Sequence, residues 1–342
     1  MKVTGEQIVI YSDSIEEAER WIQENDPSYF NDYKGDCYLI IPEMSTMAWM
    51  NTFVNPRPVL SVLNHHEILA FHVLAEIEGK EISSNAELMR WYKRSLAYLQ
   101  GVTPFSEADG EGLMGDLQKM EMIGYSGIKP FVTGLGKVSA WLYYSPYDVS
   151  TWYKNFSNIF NVKDPDDLCF AWALGNIPSN DLGYVPKELQ SEAGEIGWLI
   201  RNRIPGAQVS GAVGTVIAIH EALKGTDTTD LKAVIKAMRR SVIFDIDRIT
   251  QALSLADGMY AKWGKESLWA SLSVRIKYGI GEELLDLVKI PGIGGKRAKK
   301  LYEAGFKTPQ SVLDASKKEL GKVFPVNFAS KIQQTIKEMF VQ

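Results

Sequence analysis

The chain has 342 residues, of which 45% are hydrophobic and 23% are charged, and its formal net charge is −5. This composition is typical of globular proteins with two or three domains and excludes a disordered or fibrous chain. Two cysteines exclude a disulfide scaffold or a four-cysteine zinc site, and the sequence shows neither a signal peptide nor an apolar run of the roughly 18 residues that span a membrane, so we expect a cytoplasmic protein.

The N-terminal segment predicts a small β/α unit. Gln7–Tyr11 is a β-branched run typical of a strand, and serines after it can cap a helix over the sequence SDSIEEAERWIQEN. The stretch Asp26–Pro58 is irregular, apart from one more strand-like run at Tyr38–Ile41.

Helical periodicity takes over after this segment. Three helices are expected at Asn64–Ile77, Asn85–Leu99 and Leu113–Ile123. A loop at Thr103–Gly115 precedes the third helix, and Tyr125–Thr133 follows it as a strand-turn-strand with Gly127 and Pro130 in the turn. Three helices followed by a small hairpin is the order of a winged helix.

The middle of the chain predicts a helical bundle. Thr133 can cap a helix, Pro146 can start another, and the pattern is helical from Asp164 to Gly279 with short breaks. The helices are expected at Leu168–Leu174, Glu188–Asn202, Val213–Lys224, Asp230–Ser241 and Asp245–Trp263. We interpret most of the tryptophans and tyrosines here as core residues.

The most specific motif is a helix-hairpin-helix in ELLDLVKIPGIGGKRAKKLYEAGF, residues 283–306. Leu284, Leu287 and Val288 form an apolar face, the chain turns through PGIG, and a basic second helix follows. Pro291 ends the first helix because proline cannot continue it. Ala298 is small enough for the two helices to pack closely.

The hairpin has the chemistry of a phosphate-binding turn. Gly292 and Gly294 permit a tight turn and bring free N–H groups against an anion, while Ile293 anchors the turn in the core. The second helix starts here, so its positive dipole end faces the same anion. Lys296, Lys299 and Lys300 share one helical face for neighbouring phosphates. The predicted DNA-binding residues of this motif are Gly292, Ile293, Gly294, Gly295, Lys296, Arg297, Lys299 and Lys300.

The charge distribution agrees with an anionic partner for the C-terminal region. Residues 281–342 contain 11 Lys and Arg against 7 Asp and Glu, whereas the rest contains 26 against 35. The alternative is a glycine-rich turn whose lysines are merely solvated. A second copy of the motif at Leu320–Met339 has FPVNF in place of the glycine hairpin, so we interpret it as structural, pairing with the first copy.

Other chemistry is not indicated. The segment GIGGKR resembles part of a nucleotide-binding P-loop, but Ile290 stands where the P-loop needs glycine, and Arg297 stands where it needs serine or threonine. His65, His66 and His72 lack the spacing of a zinc-protease motif and are interpreted as ordinary surface or core residues. Asp314 is interpreted as a helix-end residue rather than a glycosylase carboxylate. We therefore predict no catalytic residue, no metal site and no cofactor in this chain.

The segment SVRIKYGIGEELLDLVKIPGIGGKRAKKLYEAGFKTPQSVLDA resembles the C-terminal end of HelQ-like Holliday-junction-migration helicases, which are Ski-type superfamily-two DNA helicases. GEQIVIYSDSIEEAERWI is similar to the end of their second RecA-like motor domain. The resemblance implies a mostly α fold with four parts. These are residues 1–58 as a β/α remnant of the motor, 59–144 as a winged helix, 145–279 as a ratchet-like bundle and 280–342 as a helix-hairpin-helix domain.

The resemblance also implies a strand-contacting helix in the bundle. In the family this helix presents an arginine and, two turns later, a tryptophan to single-stranded DNA. Arg248 matches the arginine, near the start of the helix predicted at Asp245–Trp263, but Leu255 replaces the tryptophan. Arg248 either contacts DNA or forms a salt bridge to Asp245 or another carboxylate. Trp263, placed on the same helix, either replaces the missing aromatic or belongs to the core.

Three functions remain open at this point. The resemblance implies a DNA-binding accessory part of a helicase, acting in replication, recombination or repair on single-stranded, forked or branched DNA. ATP and Mg²⁺ would then bind only a separate or missing RecA-like motor, and the chain would be cytoplasmic and nucleoid-associated, or nuclear in a eukaryote. The alternatives are a non-motor DNA-binding adaptor and an RNA-handling scaffold, because the basic hairpin does not by itself separate DNA from RNA. No membrane partner is expected.

Overall fold

The computed structural model describes residues 7–11, 20, 24, 37–41, 61–63, 65–101 and 105–341. The chain forms two compact units, Met1–Ser61 and Val62–Gln342. Most of the helix predicted after the first strand and most of the irregular stretch predicted at 26–58 lie outside the described residues. The four domain boundaries proposed from the sequence stay predictions.

The first unit contains two paired strands. Strand β1 spans Gln7–Tyr11 and strand β2 spans Cys37–Ile41. They pair in parallel, with Val9 opposite Leu39. Both strands were predicted at these places, and β2 begins one residue earlier than expected.

The second unit starts with helices followed by an antiparallel hairpin. The elements are α1 (His66–Glu78), α2 (Asn85–Tyr92), α3 (Leu96–Gln100), α4 (Glu107–Lys119), β3 (Ile123–Ser126) and β4 (Lys129–Val132). The predicted order of helices and hairpin is therefore present. The winged-helix assignment itself rests on this order and on the resemblance, and stays a prediction.

Two helix predictions in this region were wrong in their bounds. The helix predicted over Asn85–Leu99 is interrupted, because Ser95 caps a new helix by accepting a hydrogen bond from the Tyr98 N–H. The loop predicted at Thr103–Gly115 is largely the helix α4, which begins early because Ser106 and Asp109 form a capping box.

The hairpin turn also differs from the prediction. Gly127, with φ of +63°, and Ile128 form the turn, while Pro130 lies in strand β4 opposite Tyr125. Only β3 is paired with β4 in this sheet, so proline is tolerated on an edge strand.

The bundle follows. Its helices are α5 (Gly134–Leu142), α6 (Pro146–Ile159), α7 (Asp167–Gly175), α8 (Gln190–Arg203), α9 (Val213–Leu223), α10 (Ala233–Ala256) and α11 (Glu266–Tyr278). Thr133 caps α5 and Pro146 starts α6, as predicted. One hydrophobic core joins residues of the preceding helices and hairpin with the bundle, and it includes buried Trp152, Phe156 and Trp269.

The longest helix corrects the prediction of two helices at Asp230–Ser241 and Asp245–Trp263. Helix α10 runs without a break through this region, because Val242 and Ile246 stay on its buried face and no glycine or proline interrupts it. It passes into a π-helical turn at Asp257–Ala261.

The C-terminal region has a second core of its own. A 3₁₀ turn at Glu282–Leu284 leads into α12 (Leu285–Val288), and the later helices are α13 (Gly295–Glu303), α14 (Pro309–Asp314), α15 (Lys317–Leu320) and α16 (Val326–Val341). In this core Ile293 and Leu301 of the hairpin pack with Phe324 and Ile336. The second copy of the motif at Leu320–Met339, which lacks the glycine hairpin, therefore completes the core of the first copy, as interpreted from the sequence. Across the described residues, none of the helices has the length and apolar content needed to cross a membrane.

Candidate nucleic-acid interface

The hairpin places free backbone donors at the start of α13. Gly292 has φ of +85°, a conformation that glycine adopts without strain, and Gly294 is the extended N-cap of the helix. The Gly294 carbonyl accepts hydrogen bonds from the N–H groups of Arg297 and Ala298, both at 3.0 Å. In the described part of the chain, the N–H groups of Gly294, Gly295 and Lys296 have no acceptor. They are available to an anion.

The apolar residues of the motif hold this turn in place. Ile293 is 2% exposed, and Ala298 and Leu301 are fully buried. The Ile293 N–H donates to the Ile290 carbonyl at 2.9 Å, which closes the turn. The anchor role predicted for Ile293 and the packing role predicted for Ala298 agree with these positions.

Gly294, the N-cap of α13, and Gly295, its first residue, differ in what surrounds them. A side chain added at Gly295 would overlap the carbonyl oxygen of Tyr278, so close packing of α11 against the hairpin requires glycine there. At Gly294 the nearest atoms are ring carbons of Tyr278, 3.8 and 3.9 Å from an added Cβ, so this position tolerates a side chain. Gly295 is a packing residue, whereas Gly294 has room for a side chain in van der Waals contact with Tyr278.

The four cations of the second helix have two different environments. Lys296, Lys299 and Lys300 are exposed, and within the described residues none of them forms a salt bridge. Arg297 is exposed as well, but its guanidinium contacts other residues of the same region. Its Nη1 donates to the Gly292 carbonyl at 2.7 Å, and its guanidinium lies 4.5 Å from the centre of the Phe328 ring. Arg297 thus holds the turn against α16, and the three lysines form the outward cationic surface.

Arg248 lies in the second half of α10, not near the start of a helix as predicted. Its guanidinium donates to both carboxylate oxygens of Asp245, at 2.7 and 3.2 Å, and to the Leu142 carbonyl at 3.3 Å. It also stacks 4.4 Å from the centre of the Tyr144 ring. The hydrogen bonds to Asp245 raise the pKa of Arg248. The salt bridge considered in the sequence analysis is present, and a DNA contact stays a prediction.

Tyr144 completes this network. Its hydroxyl donates to Asp245 at 2.7 Å. Burial, with the hydrogen bond to Asp245, raises the pKa of Tyr144, which therefore stays neutral as a donor. The side chain of Arg248 is still 47% exposed, so one side of the guanidinium faces solvent beside a cleft of about 290 Å³.

The structure places both Leu255, at the tryptophan position of the family, and Trp263 against the main core. Leu255 is half-buried and packs against the main core. Trp263 follows the π-helical turn rather than lying on α10, and it packs among Tyr153, Phe160 and Trp269 with ring-centre distances of 5.3–5.9 Å. Trp263 is a core residue, which was one of the two interpretations left open.

Sequence reasoning missed Phe244, which is 93% exposed in the middle of α10. It lies one helical turn before Arg248 and one turn after Arg240, which is also exposed. A lone phenylalanine among VIFDIDR has no distinguishing pattern, because the buried positions Val242 and Ile246 are equally apolar. Only the phase of one continuous helix identifies it as a surface residue.

The histidines do not form a site. His65, His66 and His72 are exposed, and His66 Nε2 lies 3.4 Å from Asp116. Among the residues that the structure describes, no three His, Cys, Asp or Glu side chains are grouped as a metal site requires. Asp314 is the last residue of α14 and accepts a hydrogen bond from Gln310.

Comparison with known proteins also identifies a helix-hairpin-helix in this part of the chain. Residues 284–325 match the family of SAM-like helix-hairpin-helix tandem domains. The ATP-dependent DNA helicase Hel308 of Thermoplasma acidophilum is 26% identical over 278 residues, covering 79% of this chain and 39% of the relative. Hel308 of Pyrococcus horikoshii is 24% identical over 322 residues, covering 87% of this chain and 43% of the relative. Hel308 of Thermococcus kodakarensis is 48% identical over 52 residues.

The chain resembles the C-terminal accessory region of Ski-type superfamily-two helicases. It spans about two fifths of the length of the first two Hel308 helicases named above. The resemblance to Ski-type helicases inferred from the sequence is therefore confirmed, and so is a mostly helical fold that includes a helix-hairpin-helix domain.

Proposed function

We propose that this chain is the DNA-binding accessory region of an ATP-dependent helicase. It would bind backbone phosphates without sequence preference and guide the unwound strand, in replication, recombination or repair. The observation that carries the proposal is the hairpin, where the free N–H groups of Gly294, Gly295 and Lys296 adjoin three unpaired, exposed lysines. Its similarity to Hel308 helicases over most of the chain supports the helicase context.

The hairpin chemistry accounts for binding without sequence specificity. Backbone N–H groups and lysine ammonium groups recognise phosphate oxygens, which are the same at every nucleotide. The guanidinium of Arg297, whose planar donors could distinguish one base from another, is held by the Gly292 carbonyl and the Phe328 ring.

A second contact is proposed on α10. Phe244 offers an exposed ring on which an unpaired base can stack, and Arg240 and Arg248 flank it one turn away on either side. The acidic neighbours of this face are neutralised within the protein: Asp245 is bound by Arg248, and Asp247 by Lys277 at 2.8 Å. A base stacked on Phe244 would therefore bring its phosphates toward arginines rather than free carboxylates.

The motor function is assigned elsewhere. The sequence contains no P-loop, so ATP and Mg²⁺ would bind a RecA-like motor on another segment or chain. We expect the purified chain to hydrolyse no ATP, with or without DNA. DNA-stimulated hydrolysis that persists after repurification would contradict this assignment.

The deciding experiment is a binding comparison. Fluorescence-anisotropy titrations with single-stranded, forked and duplex DNA, and with single-stranded RNA of the same sequence, should show DNA binding that weakens steeply as salt increases. Tighter binding to RNA would favour the RNA scaffold instead. DNA binding without any association with a RecA-like motor protein in co-purification would favour the non-motor adaptor.

A further inference from the structure

A small cleft lies where the bundle meets the helix-hairpin-helix region. Helix α10, the turn after α9, the end of α11 and the start of α13 line it, and it encloses about 80 Å³. This exceeds the roughly 10–15 Å³ that one water needs and is enough for a phosphate group. The charged side chains that line it are Asp227, Arg239, Lys296 and Lys299. We call it the junction cleft.

The guanidinium of Arg239 lacks a full set of hydrogen-bond and ion-pair partners among the described residues. The residue is 6% exposed, yet within the described residues no carboxylate lies within 4 Å of its guanidinium. Its Nη1 donates to the Thr226 carbonyl at 3.2 Å, and its Nε has no partner. A buried cation is costly unless a counter-charge or a full set of hydrogen bonds compensates it. A bound anion would supply both.

The backbone is shaped to keep Arg239 there. Gly279 has φ of +61°, and a side chain at this position would overlap Nη2 of Arg239. Another buried arginine, Arg275, shows the contrast. It is 4% exposed and is paired with Asp167 at 2.6 Å. Arg275 has a paired carboxylate inside the protein, whereas among the described residues no carboxylate forms an ion pair with Arg239.

The charges around the cleft favour an anion. Three cations and one carboxylate line it, a net charge of +2, and the free N–H groups at the start of α13 add the positive end of a helix dipole. Hydrogen bonds from Thr229, together with nearby Lys296 and Lys299, lower the pKa of Asp227. Asp227 is therefore ionised at neutral pH, and its single negative charge does not cancel the excess positive charge of the cleft.

We propose that the junction cleft binds one phosphate group, held by Arg239 from the bundle and by Lys296 and Lys299 from the hairpin. The phosphate belongs either to a nucleic-acid strand or to a free phosphate compound, and the two sources share this chemistry. The strand source rests on the proposed function. It means that one backbone phosphate bridges the two regions, so that the strand runs past their junction.

The first experiment uses inorganic phosphate and thermal unfolding of the full chain, with sodium chloride at the same ionic strength as the reference. Saturating phosphate should raise Tm by about 2–4 °C. The increase should vanish in Arg239→Gln and in the double variant Lys296→Ala with Lys299→Ala. It should persist in Arg239→Lys and in Lys322→Ala with Lys331→Ala, which removes two exposed charges from the same region outside the cleft.

The second experiment identifies the source of the phosphate. Binding of a thymidine oligonucleotide is measured against salt concentration, and each lost phosphate contact flattens the slope of log affinity against log salt by about 0.7 for a single strand. Arg239→Gln should show this flattening if the strand supplies the phosphate. A phosphate-dependent increase in Tm with an unchanged slope in Arg239→Gln identifies a free phosphate compound instead.

The outcomes separate this inference from the proposed function. If Arg239→Gln keeps the wild-type phosphate response and the wild-type salt slope, and the lysine double variant keeps the wild-type phosphate response, the junction cleft is not a phosphate site. In that case Gly294→Val, which obstructs the hairpin N–H groups, still weakens DNA binding if the proposed function is right. Should Arg239→Gln fail to fold, the exposed lysines of the double variant carry the test alone.

Discussion

Arg248 and Asp245, one helical turn apart on α10, form a two-hydrogen-bond salt bridge, at 2.7 and 3.2 Å, and the Tyr144 hydroxyl donates to the same carboxylate. Because Arg248 contacts both the Asp245 carboxylate and the Tyr144 ring, Arg248→Ala should lower the free energy of unfolding by about 1 kcal/mol. This value is at the upper end of the range for partly exposed ion pairs. Denaturant unfolding measures it. Lys289→Ala, which breaks the isolated, more exposed pair with Asp286, is the matched control and should change stability less.

The same variant separates the two roles considered for Arg248. If it also contacts DNA through a phosphate, Arg248→Ala should flatten the salt slope of single-strand binding by about 0.7. Reduced stability with unchanged affinity and slope would assign Arg248 to the network with Asp245 and Tyr144 alone.

Gly294 and Gly295 are adjacent but should respond oppositely to substitution. Gly295→Ala should destabilise the protein by about 1–3 kcal/mol, because its methyl group would overlap the Tyr278 carbonyl. Gly294→Val should preserve the fold and weaken DNA binding, because the side chain has room but obstructs the N–H groups. Circular dichroism with anisotropy titrations measures both. Wild-type affinity in a folded Gly294→Val protein would exclude the hairpin as the binding site.

The hairpin was the part of the protein most accessible to sequence reasoning. The glycine spacing, the buried position of Ile293 and the cationic helix face are all local, so they follow from a short stretch of sequence. The internal contact of Arg297 was not predicted for a non-local reason, because its partner Phe328 lies about 30 residues away on α16. Arg239 was missed for the same reason, since the cleft around it combines three distant segments.

The predicted helix bounds show the same difference between local signals and contacts over a long distance in the sequence. Thr133 and Pro146 are strong local signals, and both helices begin where predicted. The break predicted between Ser241 and Asp245 was wrong, because Val242 and Ile246 lie on one continuous buried face of α10. Once the helix is continuous, its phase exposes Phe244, which no local signal marks.

Phe244→Ala should weaken single-stranded DNA binding by about 1–3 kcal/mol, the range for one stacked base, while leaving stability unchanged. The residue is 93% exposed, so its removal costs little buried area. Trp198→Ala, which removes an aromatic ring that is 61% exposed on α8, is the control and should leave affinity unchanged. Equal losses in both variants, or none in Phe244→Ala, would remove α10 from the proposed path of the strand.

The partly buried side chain of His220 on α9 should make the stability of the folded protein depend on pH. Burial lowers the pKa of His220 below its ordinary value of 6.5, and its Nδ1 has no hydrogen-bond partner. The folded state therefore favours neutral imidazole, and the unfolded state binds the proton first as pH falls. The stabilisation from neutral His220 is complete above pH 6.5 and is lost as pH decreases toward the lower folded pKa.

Other groups also titrate on acidification, so the test compares the wild type with a variant that lacks the imidazole. Between pH 7 and pH 5, Tm should fall more in the wild type than in His220→Gln, which does not titrate. His72→Gln, at an exposed position, is the control and should keep the wild-type pH dependence. Identical pH profiles for wild type and His220→Gln would contradict the assignment of this acid sensitivity to the buried imidazole.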